Sequence, residues 1–87
     1  MKGDDVMKKY KVQYEDNTGA NTSIMEFDSI EAAEAVIEKE LDEVKEYFKG
    51  RDYDYGDFVD HDGIPYTEIW DSDSGEFARW YRYYEGE

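Results

Sequence analysis

One apolar stripe in the middle of the chain constrains its fold more than any other sequence feature. Its members recur at spacings of three and four residues: Ile30, Ala33, Ile37, Leu41, Val44 and Phe48. This spacing places all six on one side of an α-helix. Asp28 is a good N-cap and forms a capping-box pattern with Glu31, and Gly50 is a natural stop. The pattern predicts an amphipathic helix over residues 29–49.

Short segments on both sides of this helix have the pattern of β-strands. Residues 9–15 and 22–27 surround a turn over residues 16–19, which predicts a hairpin. After the helix, residues 66–70 and 77–84 are separated by a turn of the sequence Asp-Ser-Asp-Ser-Gly. The order is therefore ββαββ, which predicts an α+β fold with one long helix packed on one face of a four-stranded antiparallel sheet.

The remaining segments complete the expected organisation. A chain of eighty-seven residues is long enough for only one domain, which we expect to cover residues 1–87. Residues 1–7 are expected to form a flexible tail. Residues 51–63 are predicted to be an acidic, tyrosine-rich connection that Phe58 and Val59 pin to the core. The last strand has aromatic rings on both faces, so one set is expected under the helix and the other is left for solvent, a partner or a second copy.

The net charge of −14 is concentrated in one stretch of the chain. Residues 26–76 contain eighteen acids and four bases, whereas the rest of the chain contains six of each. Such self-repulsion destabilises a compact state, and solubility requires a net charge of only about 2–8 in a small domain. Aromatic residues make up 17% of the chain, which favours a folded domain over a disordered acidic one. The excess charge therefore calls for a functional reason.

A row of acids at i+4 spacing lies on the predicted helix: Glu34, Glu38, Asp42 and Glu46, with Glu31 beside the first. We expect this row opposite the apolar stripe. Like charges at this spacing cost about 0.2–0.5 kcal/mol per pair. Charge runs are usually only the solvated face of a surface helix. The alternative is a line of anions at near-phosphate spacing, with successive members about 6 Å apart.

Acids and tyrosines outside the helix are further candidates for contact with a partner. The acids are Asp52, Asp54, Asp57, Asp60, Asp62, Asp71 and Asp73, and the tyrosines among them are Tyr53, Tyr55 and Tyr66. The acids would add further rows of anions. Tyrosine is favoured at interfaces because it gives large contact area at low entropic cost. The other interpretation is that these rings fill a small core.

The sequence contains no recognisable motif for catalysis or for cofactor binding, so we expect neither. There is no cysteine and one histidine, and neither a nucleophile elbow nor a glycine-rich phosphate loop occurs. The aspartate spacing is similar to that of calcium loops, but glycine stands at the fifth position and Asp57 where glycine is required. Direct nucleic-acid binding is disfavoured without clustered Lys and Arg. No apolar run approaches the roughly 20 residues of a membrane span, so no membrane contact is expected.

In size, acidity and α+β plan, the whole chain resembles the small phage and mobile-element inhibitors that mimic DNA, such as anti-CRISPR and anti-restriction proteins. The resemblance implies stoichiometric inhibition in the cytoplasm of a bacterial host, and a partner whose basic groove normally holds DNA or RNA. The first hypothesis is therefore a nucleic-acid mimic. The second is a protein-interaction module or homodimer that uses the exposed aromatic sheet face, and the third is a divalent-cation binder.

Overall fold

One helix packs on one face of a five-stranded antiparallel sheet in the computed structural model, which describes residues 10–17 and 22–85. The elements are β1 (Tyr10–Asp16), β2 (Ser23–Phe27), α1 (Ile30–Tyr47), β3 (Tyr53–Val59), β4 (Pro65–Asp71) and β5 (Phe77–Tyr84). The strand order is β2-β1-β5-β4-β3. The expected tail over residues 1–7 and most of the turn over residues 16–19 lie outside the described residues.

The α+β class is confirmed, but the prediction of four strands is wrong because the segment interpreted as a connection contains β3. This strand pairs with β4 along its length and forms an edge of the sheet. Most of its side chains are exposed, including Phe58 and Val59, which do not pin the segment to the core. An edge strand that buries neither face fully has no clear alternation of apolar and polar residues, so its pattern is hidden.

The helix begins one residue later than the capping pattern indicated. Ser29 is the N-cap, in an extended backbone conformation, and its Oγ accepts a hydrogen bond from the Ala32 N–H at 3.1 Å. The prediction of Asp28 as the cap is therefore wrong. At the other end Phe48 caps the helix, and Gly50 follows with a φ of +87°, the left-handed conformation that glycine adopts without strain.

The core lies between α1 and the sheet and consists of seven buried side chains: Val12, Ala33, Ile37, Phe48, Ile69, Ala78 and Trp80. The largest of them is Trp80, whose indole Nε1 donates to Glu40 Oε1 at 2.9 Å. In β5, Trp80 and Tyr84 point towards the helix, whereas Phe77, Tyr81 and Tyr83 point to the other side. The prediction that one set of rings packs under the helix is confirmed.

Candidate protein-interaction surface

One side of the sheet carries little of the net charge of the described residues. We call the side opposite α1 the open sheet face. Alternation along the paired strands assigns its members: Lys11, Gln13, Glu15, Ile24, Glu26, Asp54, Gly56, Phe58, Tyr66, Glu68, Trp70, Phe77, Arg79, Tyr81 and Tyr83. They include four acids and two bases, a net charge of −2. The rest of residues 10–17 and 22–85 contains seventeen acids and five bases, a net charge of −12.

Arg82 binds one member of the predicted helix row. Its Nε and Nη2 donate to the two carboxylate oxygens of Glu34 at 2.6 and 3.1 Å, and the Tyr84 hydroxyl donates to the same group at 2.7 Å. Arg82 lowers the pKa of the Glu34 carboxyl, partial burial opposes the shift, and Tyr84 adds to it. Glu34 therefore connects the helix to β5 and is not a free anion.

The position of Glu34 corrects the prediction that the whole row lies opposite the core. Four residues advance a helix by slightly more than one turn, so an i+4 row drifts by about 40° per step around the axis. The row accordingly runs from the sheet-facing edge of the helix at Glu34 to full exposure at Asp42 and Glu46, whose side chains are each 67% exposed. Lys45 and Lys49 lie 3.9 Å from these two carboxylates and partly offset their charge.

Asp71 is a second predicted site residue that stabilises the fold. It is 3% exposed, accepts a hydrogen bond from the Asp73 N–H at 3.0 Å, and pairs with Arg51 Nη1 at 3.0 Å. Burial alone would raise the pKa of its carboxyl, but the Asp73 N–H, Arg51 and the Ser74 hydroxyl outweigh burial and lower it. Arg51 also pairs with Glu76. One guanidinium therefore binds a carboxylate at each end of the predicted 71–75 turn.

Asp60 has a similar local role in the turn between β3 and β4. Its Oδ1 accepts hydrogen bonds from the backbone N–H groups of Asp62 and Ile64, both at 2.9 Å. The exposed carboxylates of Asp62 and Asp73 lie in the two turns at opposite ends of the sheet, and Asp54 belongs to the open sheet face. The predicted loop acids therefore do not form one continuous row.

A groove of about 580 Å³ separates α1 from β3 and brings several predicted site residues together. Glu31, Glu34 and Glu38 line it on the helix side and Tyr55 and Asp57 on the strand side, with Arg82 beside Glu34. We call this the α1–β3 groove. Among residues 10–17 and 22–85, no basic side chain forms an ion pair with Glu31, Glu38 or Asp57. Asp52 is also exposed and directly precedes β3.

The three predicted tyrosines occupy three different environments. Tyr55 is 49% exposed in the α1–β3 groove, and Lys45 Nζ lies 4.0 Å from the centre of its ring. Tyr53 is half-buried and packs on Phe48 with the ring centres 6.0 Å apart. Tyr66 lies on the open sheet face, 5.0 Å from Tyr81. Tyr55 therefore lies beside the helix acids of the α1–β3 groove, whereas Tyr53 lines a separate depression of about 730 Å³ with Asp42 and Glu46.

The rings on the open sheet face extend further than the sequence pattern predicts. Phe58 lies 5.6 Å from Tyr66 and 5.9 Å from Trp70, so β3 and β4 add rings to those of β5. Arg79 lies in the same face and pairs with Glu15 at 3.0 Å and Glu68 at 2.8 Å. The alternation of aromatic rings along β5 indicated this layer. Phe58 could be assigned to it only after residues 53–59 were known to form a strand.

Two further observations bear on the other hypotheses. No group of three or more His, Asp or Glu side chains converges as a metal site within the part of the chain that the structure describes, which gives the divalent-cation hypothesis no support. In the same residues, no helix has the length and apolarity to cross a membrane.

Comparison with protein-family models, with curated proteins and with solved structures finds no match for this chain.

Proposed function

We propose that this chain is an acidic nucleic-acid mimic, which binds the basic DNA- or RNA-binding groove of a nuclease, CRISPR effector or restriction enzyme and blocks it stoichiometrically. The observation that carries the proposal is the partition of charge, with a net −2 on the open sheet face and −12 over the other described residues. The three arginines pair with other carboxylates, and within residues 10–17 and 22–85 Glu31, Glu38 and Asp57 form no ion pair, so their charge is available to a partner.

The α1–β3 groove supports this function because acids stand on both of its walls. Glu31 and Glu38 lie on the helix, seven residues or about 10 Å apart along its axis. Asp57 faces them from β3. Anions on both sides of a depression are also what a nucleic-acid duplex presents, because its two phosphate strands flank each groove. The lysine and arginine side chains with which a partner normally contacts phosphates can therefore contact these carboxylates instead.

Cations of the chain itself lie in and beside the groove, which supports its ability to bind those of a partner. Lys45 lies over the exposed ring of Tyr55, and Arg82 forms a bidentate pair with Glu34. A partner's lysine or arginine can replace Lys45 on that ring, since the aromatic face attracts cations by about 0.5–1 kcal/mol at exposed sites. Carboxylates around it accelerate association, and the ring slows dissociation. The mechanism requires neither catalysis nor a cofactor, and it implies action in the cytoplasm of a bacterial host.

The test removes three charges from the groove without touching the paired carboxylates. The variant is Glu31→Gln, Glu38→Gln and Asp57→Asn, and all three residues are exposed. Proteins captured from a bacterial lysate at low salt are eluted with duplex DNA, purified, and titrated with the chain in the presence of a labelled duplex. We expect the wild type to displace the duplex at one chain per binding site, and the variant to bind at least about tenfold more weakly, mainly through slower association.

A matched variant tests whether the affinity depends on where the charges are removed or only on how many are removed. Glu26→Gln, Glu43→Gln and Glu85→Gln remove the same number of charges from exposed residues that do not line the groove. This variant is expected to retain most of the affinity. Equal weakening by the two variants, or capture that duplex DNA does not reverse, would contradict the proposed function.

A further inference from the structure

We propose that the open sheet face is the docking surface for a second copy of this chain, which gives a homodimer whose α1–β3 grooves point outward. This inference does not depend on the proposed function. Six aromatic residues lie on this face, across three neighbouring strands: Phe58, Tyr66, Trp70, Phe77, Tyr81 and Tyr83. Ring centres of Tyr66 and Tyr81 lie 5.0 Å apart, and those of Phe58 and Trp70 lie 5.9 Å apart. Contacts of Phe58 with Tyr66 and of Tyr81 with Tyr83 complete the series, so five of the six rings form a connected layer that α1 does not cover.

The distribution of charge favours a second copy over a cationic partner on this face. Two copies of a chain with a net charge of −14 repel each other, and the repulsion is weakest where the local charge is lowest. The open sheet face has a net charge of only −2, and Arg79 pairs with both Glu15 and Glu68 and offsets one of their two negative charges. A basic partner is drawn instead to the helix and the turns, because the described residues outside the open sheet face have a net charge of −12. The same protein thus has a separate surface for each type of contact.

The size of the face is sufficient for a specific dimer. Five strands about 4.8 Å apart and about seven residues long, at about 3.3 Å per residue, present roughly 500 Å² in projection. Two such faces together bury on the order of 1,000 Å² or more, which reaches the lower bound of specific interfaces. Large apolar side chains are exposed where a second sheet would lie, among them Ile24 at 62% and Phe58 and Tyr83 at 39% each. Two sheets in such a contact pack face to face at about 10 Å.

The first test is the mass of the purified full-length chain in solution, measured by sedimentation equilibrium over a dilution series at low and at high salt. We expect a reversible monomer–dimer equilibrium. Salt at about 1 M shortens the screening length to about 3 Å, so the dimer is expected to become tighter at high salt as the repulsion between copies falls. A monomeric mass at all concentrations and both salt levels would overturn the proposal, as would a dimer that salt dissociates.

The second test compares two substitutions of the same type on opposite sides of the sheet. Tyr83→Lys places a charge in the ring layer, whereas Tyr55→Lys makes the same change on the helix side. Both variants reduce the net negative charge, so electrostatics alone would tighten association. We expect Tyr83→Lys to weaken the dimer by at least tenfold and Tyr55→Lys to leave it unchanged or tighter. Equal effects of the two variants would refute an interface on the open sheet face.

A third measurement follows the wild-type chain, with Trp70→Phe as its control, and covers the case in which Tyr83→Lys fails to fold. Trp70 is half-buried on the open sheet face, and Trp80 is fully buried under the helix. Dimerisation is therefore expected to shift tryptophan emission to shorter wavelength with increasing concentration, and Trp70→Phe should remove the shift. Emission that is independent of concentration while the mass doubles would show that the copies associate through a different surface, which contradicts the proposal.

Discussion

Replacement of Trp80 by alanine is expected to lower the free energy of unfolding by about 3–5 kcal/mol, the range for large-to-small changes at buried tryptophan. Trp80 has no exposed surface and is the largest fully buried side chain of the described residues. It packs on Tyr14 with ring centres 5.4 Å apart, and its Nε1 binds Glu40. Small domains have a total stability of only about 5–15 kcal/mol. The substitution is therefore expected to remove a large share of the stability of the domain.

Urea denaturation monitored by circular dichroism measures this effect, and two further variants serve as comparisons. Trp80→Phe keeps a ring in the core but loses the hydrogen bond to Glu40, which is expected to cost about 1.5–3 kcal/mol because the acceptor is a carboxylate. Trp70→Ala changes the other tryptophan, which is half-buried on the open sheet face, and should cost less than Trp80→Ala. A loss below 1 kcal/mol in Trp80→Ala would mean that the core is not organised around this side chain.

Replacement of Arg82 by methionine is expected to cost about 2–3 kcal/mol of folding free energy. The side chain of Arg82 is 15% exposed and that of Glu34 is 42% exposed, so water can reach the carboxylate after the pair is broken. The cost should therefore lie below the 3–5 kcal/mol typical of fully buried pairs. The double variant Arg82→Met and Glu34→Met removes both charges and is expected to be more stable than Arg82→Met alone. A double variant that is less stable would contradict this account of the pair.

The same pair predicts part of the pH dependence of stability. Arg82 holds the folded-state pKa of Glu34 below its value in the unfolded chain. The resulting stabilisation is fully present above the unfolded value of about 4.3 and is lost as the pH falls through the lowered folded-state pKa. In denaturation experiments from pH 7 to pH 2, Arg82→Met should therefore lose less stability below pH 4 than the wild type. Parallel curves for the two proteins would argue against a lowered pKa at Glu34.

Most elements of the fold could be predicted because each has a local pattern of its own. The apolar stripe from Ile30 to Phe48 gave the helix, and the alternation from Phe77 to Tyr84 gave β5 with the observed bounds. The edge strand β3 could not be predicted in this way. Its two tyrosines point to the helix side and Phe58 to the open side, so neither face shows a consistent apolar set. Its strand conformation depends on pairing with β4, which is not a local property.

The candidate site was predicted only in part, because contacts between residues that are distant in the sequence decide which carboxylates form ion pairs. The exposure of Glu31 and Glu38 follows from their angle on the helix, which the sequence contains. The pairing of Glu34 with Arg82 and of Asp71 with Arg51 joins residues 48 and 20 positions apart, respectively. No spacing rule indicates which carboxylates such arginines select. The groove itself exists only because the chain brings β3 to the edge of the sheet beside α1.

The central claim is that the open sheet face carries little of the exposed negative charge and that cations are drawn to the α1–β3 groove, and mapping a cationic probe on the chain tests it most directly. A hexa-lysine peptide is titrated into isotope-labelled chain at low salt, and amide chemical shifts are followed by NMR. We predict that the largest shifts occur around Glu31, Glu38, Tyr55 and Asp57, that they vanish at high salt, and that residues of the open sheet face change little. Shifts of equal size on both sides of the sheet, or largest at Tyr81 and Tyr83, would contradict the account.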